Sequence, residues 1–288
     1  MAGLEPYKHG YYLWKYVPSA AAAGIFCALF GIVTIVFVRR IWKTRTWFCI
    51  PFALGGYMQF VGYACRAAAS SRTGKLMPFV MQQNNILLAP VLYAASIYMT
   101  LGRVIRNVQG EKHAIVSPRW LTIIFLAGDF LALAVQGSAA GLMVINQYAQ
   151  IAQAIAITGL IIQIIIFGVF WVTSWMFNVR MRRDSVASCA VPPEMEWEQA
   201  MRMLYGVSAL IMFRSIFRLI EFTTGADGYL LSNEWPLYIF DTLPMLAVMC
   251  IFWQWFPSSV NSSQRVSFVS LHSLKASHRV ESKDQLHK

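Results

Sequence analysis

IMFRSIFRLIEFTTGADGYLLSNEWPLYIFDTLPM, residues 211–245, holds two strongly apolar runs with Arg214, Arg218, Glu221 and Asp241 set inside them and a short turn between. Apolar runs of this kind are candidates to span a membrane, where a charge at the helix centre costs about 2.5–3.5 kcal/mol on insertion scales. Arg214, Arg218 and Glu221 are spaced i, i+4, i+7 and so fall on one helical face. Arg218 and Glu221 are placed to pair along the helix at i, i+3. Arg214 then needs a carboxylate from elsewhere, and Asp241 on the next helix is the nearest in sequence. A stripe of charge on an apolar helix points at protein or at a water-filled cavity, because lipid offers it no partner.

The rest of the 288-residue chain agrees with a membrane setting. It is 57% hydrophobic and 13% charged, with a mean hydropathy of +0.51, which exceeds the apolar share of soluble domains. The net charge of +11 does not point to nucleic acid, because the basic residues sit in short segments beside apolar runs. No basic helix or aromatic RNA platform is visible. Cys27, Cys49, Cys65, Cys189 and Cys250 show no metal-ligand spacing, and free buried thiols are the default expectation. The first sixteen residues are polar and aromatic, and the following apolar run is long enough to stay in the membrane rather than be cleaved.

Seven apolar stretches, at 17–38, 46–66, 79–101, 120–145, 151–177, 199–222 and 235–256, are each long enough for a hydrocarbon core of about 30 Å. Trp and Tyr near many of their ends (Trp42, Trp47, Trp120, Trp175, Trp235, Trp255) suit interfacial anchors. The expected fold is therefore an all-α membrane protein, a seven-transmembrane helix bundle over 17–256. It is flanked by an extracellular segment at 1–16 and a Ser-rich basic tail at 257–288 that has little to bury and should be disordered. Sixteen Lys and Arg lie in the first, third and fifth connections and the tail, against four (Lys8, Lys15, Arg72, Lys75) on the other side. That bias places the N-terminus outside and the C-terminus in the cytoplasm, where the sequon at Asn261 would go unused.

With this topology the remaining polar residues acquire depth. Gln59, Tyr63 and Arg66 climb one face of the second span, and Gln82 opens the third, which Pro90 interrupts. Asp129 and Gln136 share a face of the fourth span, ahead of the small-residue run from Gly137 to Gly141, and Gln163 lies in the fifth. Glu234 and Asp241 begin the seventh. Counting Arg66, Arg214 and Arg218 against Asp129, Glu221 and Asp241 gives a three-to-three balance suited to internal pairing. Small residues ordinarily serve close helix packing, the glutamines are placed to bond across helices for about 0.6 kcal/mol each, and Pro90 and Pro244 read as kinks. The charged set is harder to explain by stability, since burying ions is a poor way to gain it. His9, His113, His272, His278 and His287 all fall outside the spans, and no Lys lies inside one. A buried zinc site and a retinal Schiff base are thereby excluded, the Walker-type GxxxxGK(S/T) of an ATPase is absent, and no cofactor is expected.

These motifs together resemble the fungal lipid-translocating exporter family. Its seven-helix members are associated with resistance to toxic aminosterols and release of sphingoid long-chain bases, and some with porphyrin uptake. The likeness covers roughly 16–257 and is strongest over 214–245, where an Arg-rich helix, a G-x-x-G turn and an E-W…D-x-x-P-M helix follow one another. GYACR at 62–66, Gln82 ahead of LLAP, ASIYMTLGR at 95–103, GDFLALAVQ at 128–136 and GLIIQ at 159–163 support it. The chain departs from the family's pattern in carrying Gln59 where a Glu is common and Phe256-Pro257 where His-Pro is frequent. The resemblance implies lipid-related export at the plasma membrane; an enzyme is not expected, because the spans hold no His and no nucleophile constellation.

The expected function is movement of a cationic amphiphile, such as a sphingoid base or a toxic sterol-like compound. An ammonium head group needs a desolvated carboxylate while its chain stays in the bilayer. Asp129, Glu221 and Asp241 are the candidate partners, with Arg66, Arg214 and Arg218 holding them in the absence of ligand. Gln59, Gln82, Gln136, Gln163 and Glu234 complete the candidate binding set. The alternatives are an amphiphile sensor signalling through its loops and tail, or a porphyrin transporter. Oligomeric state is not legible in the sequence.

Overall fold

The computed structural model describes residues 18–70, 74–107, 117–142, 149–188, 194–224 and 233–256, together with Tyr16 and Tyr229. Residues 1–15 of the segment expected to be extracellular, the tail with its sequon, all five histidines and Cys189 lie outside the described residues. Seven helices follow in order: α1 (Ala20–Thr44), α2 (Ile50–Ala69, entered through a 3-10 turn at Trp47–Cys49), α3 (Leu76–Asn107), α4 (Pro118–Leu142), α5 (Ala149–Ser188), α6 (Glu194–Thr223) and α7 (Leu237–Gln254). All seven are long and apolar enough to cross a membrane, and the described residues contain no strand. The chain is a multi-pass helical membrane protein.

Helix ends follow hydrogen bonding rather than hydrophobicity, so several helices outrun the apolar stretches that predict them. The largest excess is at α5, whose 40 residues span about 60 Å, twice a hydrocarbon core. Its apolar run ends near 177, yet the helix continues through Arg180, Arg182 and Arg183, because water solvates those side chains while the backbone bonds itself. Arg182 there meets Glu198 of α6 at 3.2 Å in an exposed pair. At α1, the Ser19 hydroxyl accepts from the Ala22 N–H, and Arg45 closes the C-terminus in a left-handed conformation, φ 53°.

Helix α3 is the central strut, packed against α2, α4 and α6, with α1 beyond α2 and α5 between α4 and α6. Glycines on α2 set this arrangement. A Cβ at Gly55 would lie 2.8 Å from the Tyr93 ring, one at Gly62 would lie 2.8 Å from Ile86, and one at Gly56 on the other side would meet Thr34 and Met249. Neighbouring backbones approach so closely only where side chains are absent, as at small-residue helix interfaces in membranes. The run from Gly137, expected to serve such packing, does not do so at its first residue: nothing lies within 4 Å of a Cβ there. The α4–α5 approach instead uses Gly128 and Gly159. Arg40 ties α1 to α7, its guanidinium 4.4 Å over the Trp253 ring and 4.7 Å over Phe256 while donating to the Trp253 carbonyl.

The thiol expectation changes at Cys250, which is exposed. Pro90 lies inside the continuous α3, and the distortion at Pro244 takes the form of a π-helical turn over Leu237–Thr242. Within that turn Thr242 donates its hydroxyl to the Leu237 carbonyl, five residues back. Cys49 is buried, Cys27 and Cys65 are half-buried, and Cys250 is exposed.

Candidate functional site

The π-helical turn carries Asp241 and Thr242 into the bundle, and π-turns recur at functional sites for this reason. Asp241 is 1% exposed, and each of its oxygens meets an arginine of α6. Arg214 donates from Nε to Oδ1, and Arg218 donates from an Nη to Oδ2 at 2.6 Å. The cross-helix pair Arg214–Asp241 and the intrahelical pair Arg218–Glu221, 3.0 Å, are thus both present. Arg218 joins them into one network by bonding both carboxylates, a link absent from the sequence expectation. Arg214 also donates to the Ile86 carbonyl of α3 at 3.0 Å. All four side chains are nearly inaccessible, and two positive charges face two negative ones.

A second cluster lies at the end of the bundle that holds the N-terminus of α1. Arg66 does not help to hold Glu221, Asp241 or Asp129, as the charge count suggests. It pairs with Glu234 at 2.7 Å and donates also to the hydroxyls of Tyr16 and Tyr238. Glu234 in turn accepts from the Ser19 backbone N–H through both oxygens, at 3.1 and 2.9 Å, and from the Tyr238 hydroxyl. One carboxylate just ahead of α7 therefore joins the start of α1 to α2. Sequence adjacency hides this, since Glu234 lies 168 positions from Arg66.

Polar contacts away from these clusters are fewer. Gln136 and Gln163 bond across α4 and α5 at 3.1 Å, as expected. Gln59 and Gln82 are buried, and the side-chain oxygen of each has no partner. The Arg218 Nε and the Tyr93 hydroxyl are likewise buried without partners. Among the described residues no arginine is paired with Asp129. Its Oδ2 accepts from the Tyr98 hydroxyl of α3 at 2.7 Å, while Oδ1 is buried and unpartnered.

Tyr98, Tyr238, Tyr63 (whose hydroxyl bonds Thr242) and the Ile86 carbonyl are hydrogen-bonding neighbours that the charge pattern did not single out. The available signal was a tyrosine within an apolar span, since a buried phenol usually finds a hydrogen-bond partner. Among the described residues no group of three or more His, Cys, Asp or Glu is placed to hold a metal. The arrangement suits binding and neutralisation of charge within a low-dielectric bundle.

Comparison with known proteins bears on what such a bundle does. A family model described as RTA1 like protein matches residues 52–264. The chain is 38% identical over 203 residues to Protein RTM1 of Saccharomyces cerevisiae, covering 70% of this chain and 65% of RTM1, just under two thirds of that relative's length. Protoporphyrin uptake protein 1 of the same yeast is 31% identical over 278 residues, covering 84% of this chain and 91% of its own. A more distant yeast relative, the Sphingoid long-chain base transporter RSB1, is 24% identical over 252 residues, covering 75% and 66%. No solved structure matches.

Proposed function

The chain belongs to the RTA1-like family, and from that premise we propose that it moves amphiphilic lipids across or out of the membrane, with cationic amphiphiles such as sphingoid long-chain bases as the favoured substrates. The observation that carries this reading is the placement of the polar residues. Three arginines and three acids are buried inside a seven-helix bundle, with Glu234 half-buried beside Arg66, although apolar packing would stabilise it as well or better. Ionisable residues kept at membrane depth ordinarily mark a substrate or ion path.

A relative named for sphingoid base transport and one named for protoporphyrin uptake both handle amphiphiles, so porphyrin movement is the second reading. A porphyrin presents carboxylates and would seek guanidinium groups. Arg66, Arg214 and Arg218 already hold carboxylates, whereas Asp129 has no cation. That asymmetry favours a cationic head group. The transport reading places the protein in the plasma membrane, with its N-terminus outside and its tail in the cytoplasm.

The deciding experiment is flux of a fluorescent sphingoid base between the leaflets of vesicles that contain only the purified protein. Faster movement than in protein-free vesicles is the expected result. Equal rates in both would remove the transport reading.

A further inference from the structure

Among the described residues three acids are buried (Asp129, Glu221 and Asp241), Glu234 is half-buried in the cluster at the bundle's end, and of these four only Asp129 has no arginine. Arg218 holds Glu221, Arg66 holds Glu234, and Arg214 and Arg218 share Asp241. Asp129 has no Lys or Arg within ion-pair distance, is 1% exposed, and receives one hydrogen bond, from Tyr98, on one of its two oxygens. An unmet carboxylate oxygen out of water is expensive to keep.

The tyrosine that bonds Asp129 belongs to an aromatic cluster. The Tyr98 ring that reaches Asp129 packs 4.5 Å from Phe170, 5.7 Å from Phe125 and 6.2 Å from Phe167, centroid to centroid. Aromatic faces attract ammonium groups and give nothing to an anion. Lipid is also close: Phe130 and Leu131, next in sequence to Asp129, are exposed on the outer face of α4, as are Ile161 and Ile165 on α5. The proposal below requires that an alkyl chain remain in the bilayer against this face while its head group reaches the carboxyl group between the helices. This place is separate from the arginine network. Tyr98 and Ile86, which mark the two levels on α3, are twelve residues apart, about 18 Å along the helix.

We propose that Asp129, between α3 and α4 beside the α5 aromatic cluster, is the site that takes the primary ammonium head group of the substrate amphiphile. Arg214, Arg218 and Asp241 form the ionic frame that holds α6 and α7 in place. The assignment rests on the reading of the chain as a carrier of cationic amphiphiles, and the free Oδ1 supplies the charge-assisted hydrogen bond that an ammonium group needs.

The test is equilibrium binding of radiolabelled octadecylamine to the full-length protein in lipid nanodiscs, with octadecanol as the neutral competitor. The wild-type protein should bind the amine saturably without competition from the alcohol. Asp129→Asn should weaken binding by about tenfold or more, and Asp129→Glu should retain it. Tyr98→Phe keeps the carboxyl group while removing its one donor, so it should bind at least as tightly as wild type. If Asp129→Asn does not fold, the Glu and Phe variants decide the matter, since both must still bind. Unchanged binding in Asp129→Asn, loss of binding in a folded Tyr98→Phe, or equal competition by octadecanol would each overturn the assignment while leaving transport intact. A wild-type protein that neither binds nor moves the amine overturns the transport reading itself.

Discussion

Replacing Asp241 with Asn removes a carboxylate that two buried arginines share, because Arg214 and Arg218 each bond one of its oxygens. Removing one partner of a buried pair typically costs about 3–5 kcal/mol, most of it the penalty of the charge left behind. Glu221 still holds Arg218 in the variant, so the stranded charge falls on Arg214. The expected loss is therefore about 3–5 kcal/mol, seen as a lower melting temperature and poor recovery of folded protein. Two double variants then separate pairing from net charge. Arg214→Gln with Asp241→Asn leaves Arg218 and Glu221 as an intact pair and should recover about half of the lost stability or more. Arg218→Gln with Asp241→Asn carries the same net charge yet leaves Arg214 without a carboxylate and Glu221 without an arginine. It should be no better than the single variant. The assay is thermal survival of the detergent-purified protein, with Asp241→Asn, both double variants and wild type ranked side by side. Equal recovery by the two double variants would refute the reasoning, since net charge alone would then govern stability. Transport should follow stability in the recovered double variant, because the head-group site proposed at Asp129 is untouched.

Gly55→Ala should lower stability by about 1–3 kcal/mol, because its Cβ would fall 2.8 Å from the Tyr93 ring and 3.0 Å from the Ala89 carbonyl oxygen, whereas Gly137→Ala, with nothing within 4 Å, should shift it by less than about 0.5 kcal/mol. Comparable melting curves for the two variants would contradict the helix packing described. Epitope tags at the two termini should label oppositely on intact cells, the N-terminal one from outside and the C-terminal one only after permeabilisation. An N-terminal tag that stays protected would contradict the orientation argued from Lys and Arg in the connections.

The sequence by itself determined the class of fold, because the bilayer imposes one requirement that any apolar run must meet: about 20 residues with every backbone group bonded internally. It also determined the pairing within 211–245, since Arg218 and Glu221 meet through helical periodicity and Asp241 was the nearest carboxylate left for Arg214. Tertiary structure alone decided the partners that periodicity cannot reach. Arg66 meets Glu234, and Arg218 reaches Asp241 as well as Glu221, because helix rotation and depth fix which side chains converge. A π-helical turn at Leu237–Thr242 shifts that register in a way the residue spacing does not show. Asp129 is the clearest case. The sequence shows a carboxyl group seven residues before a glutamine on one face, and only the packing of α3 against α4 reveals that a tyrosine hydroxyl, and no arginine, meets it.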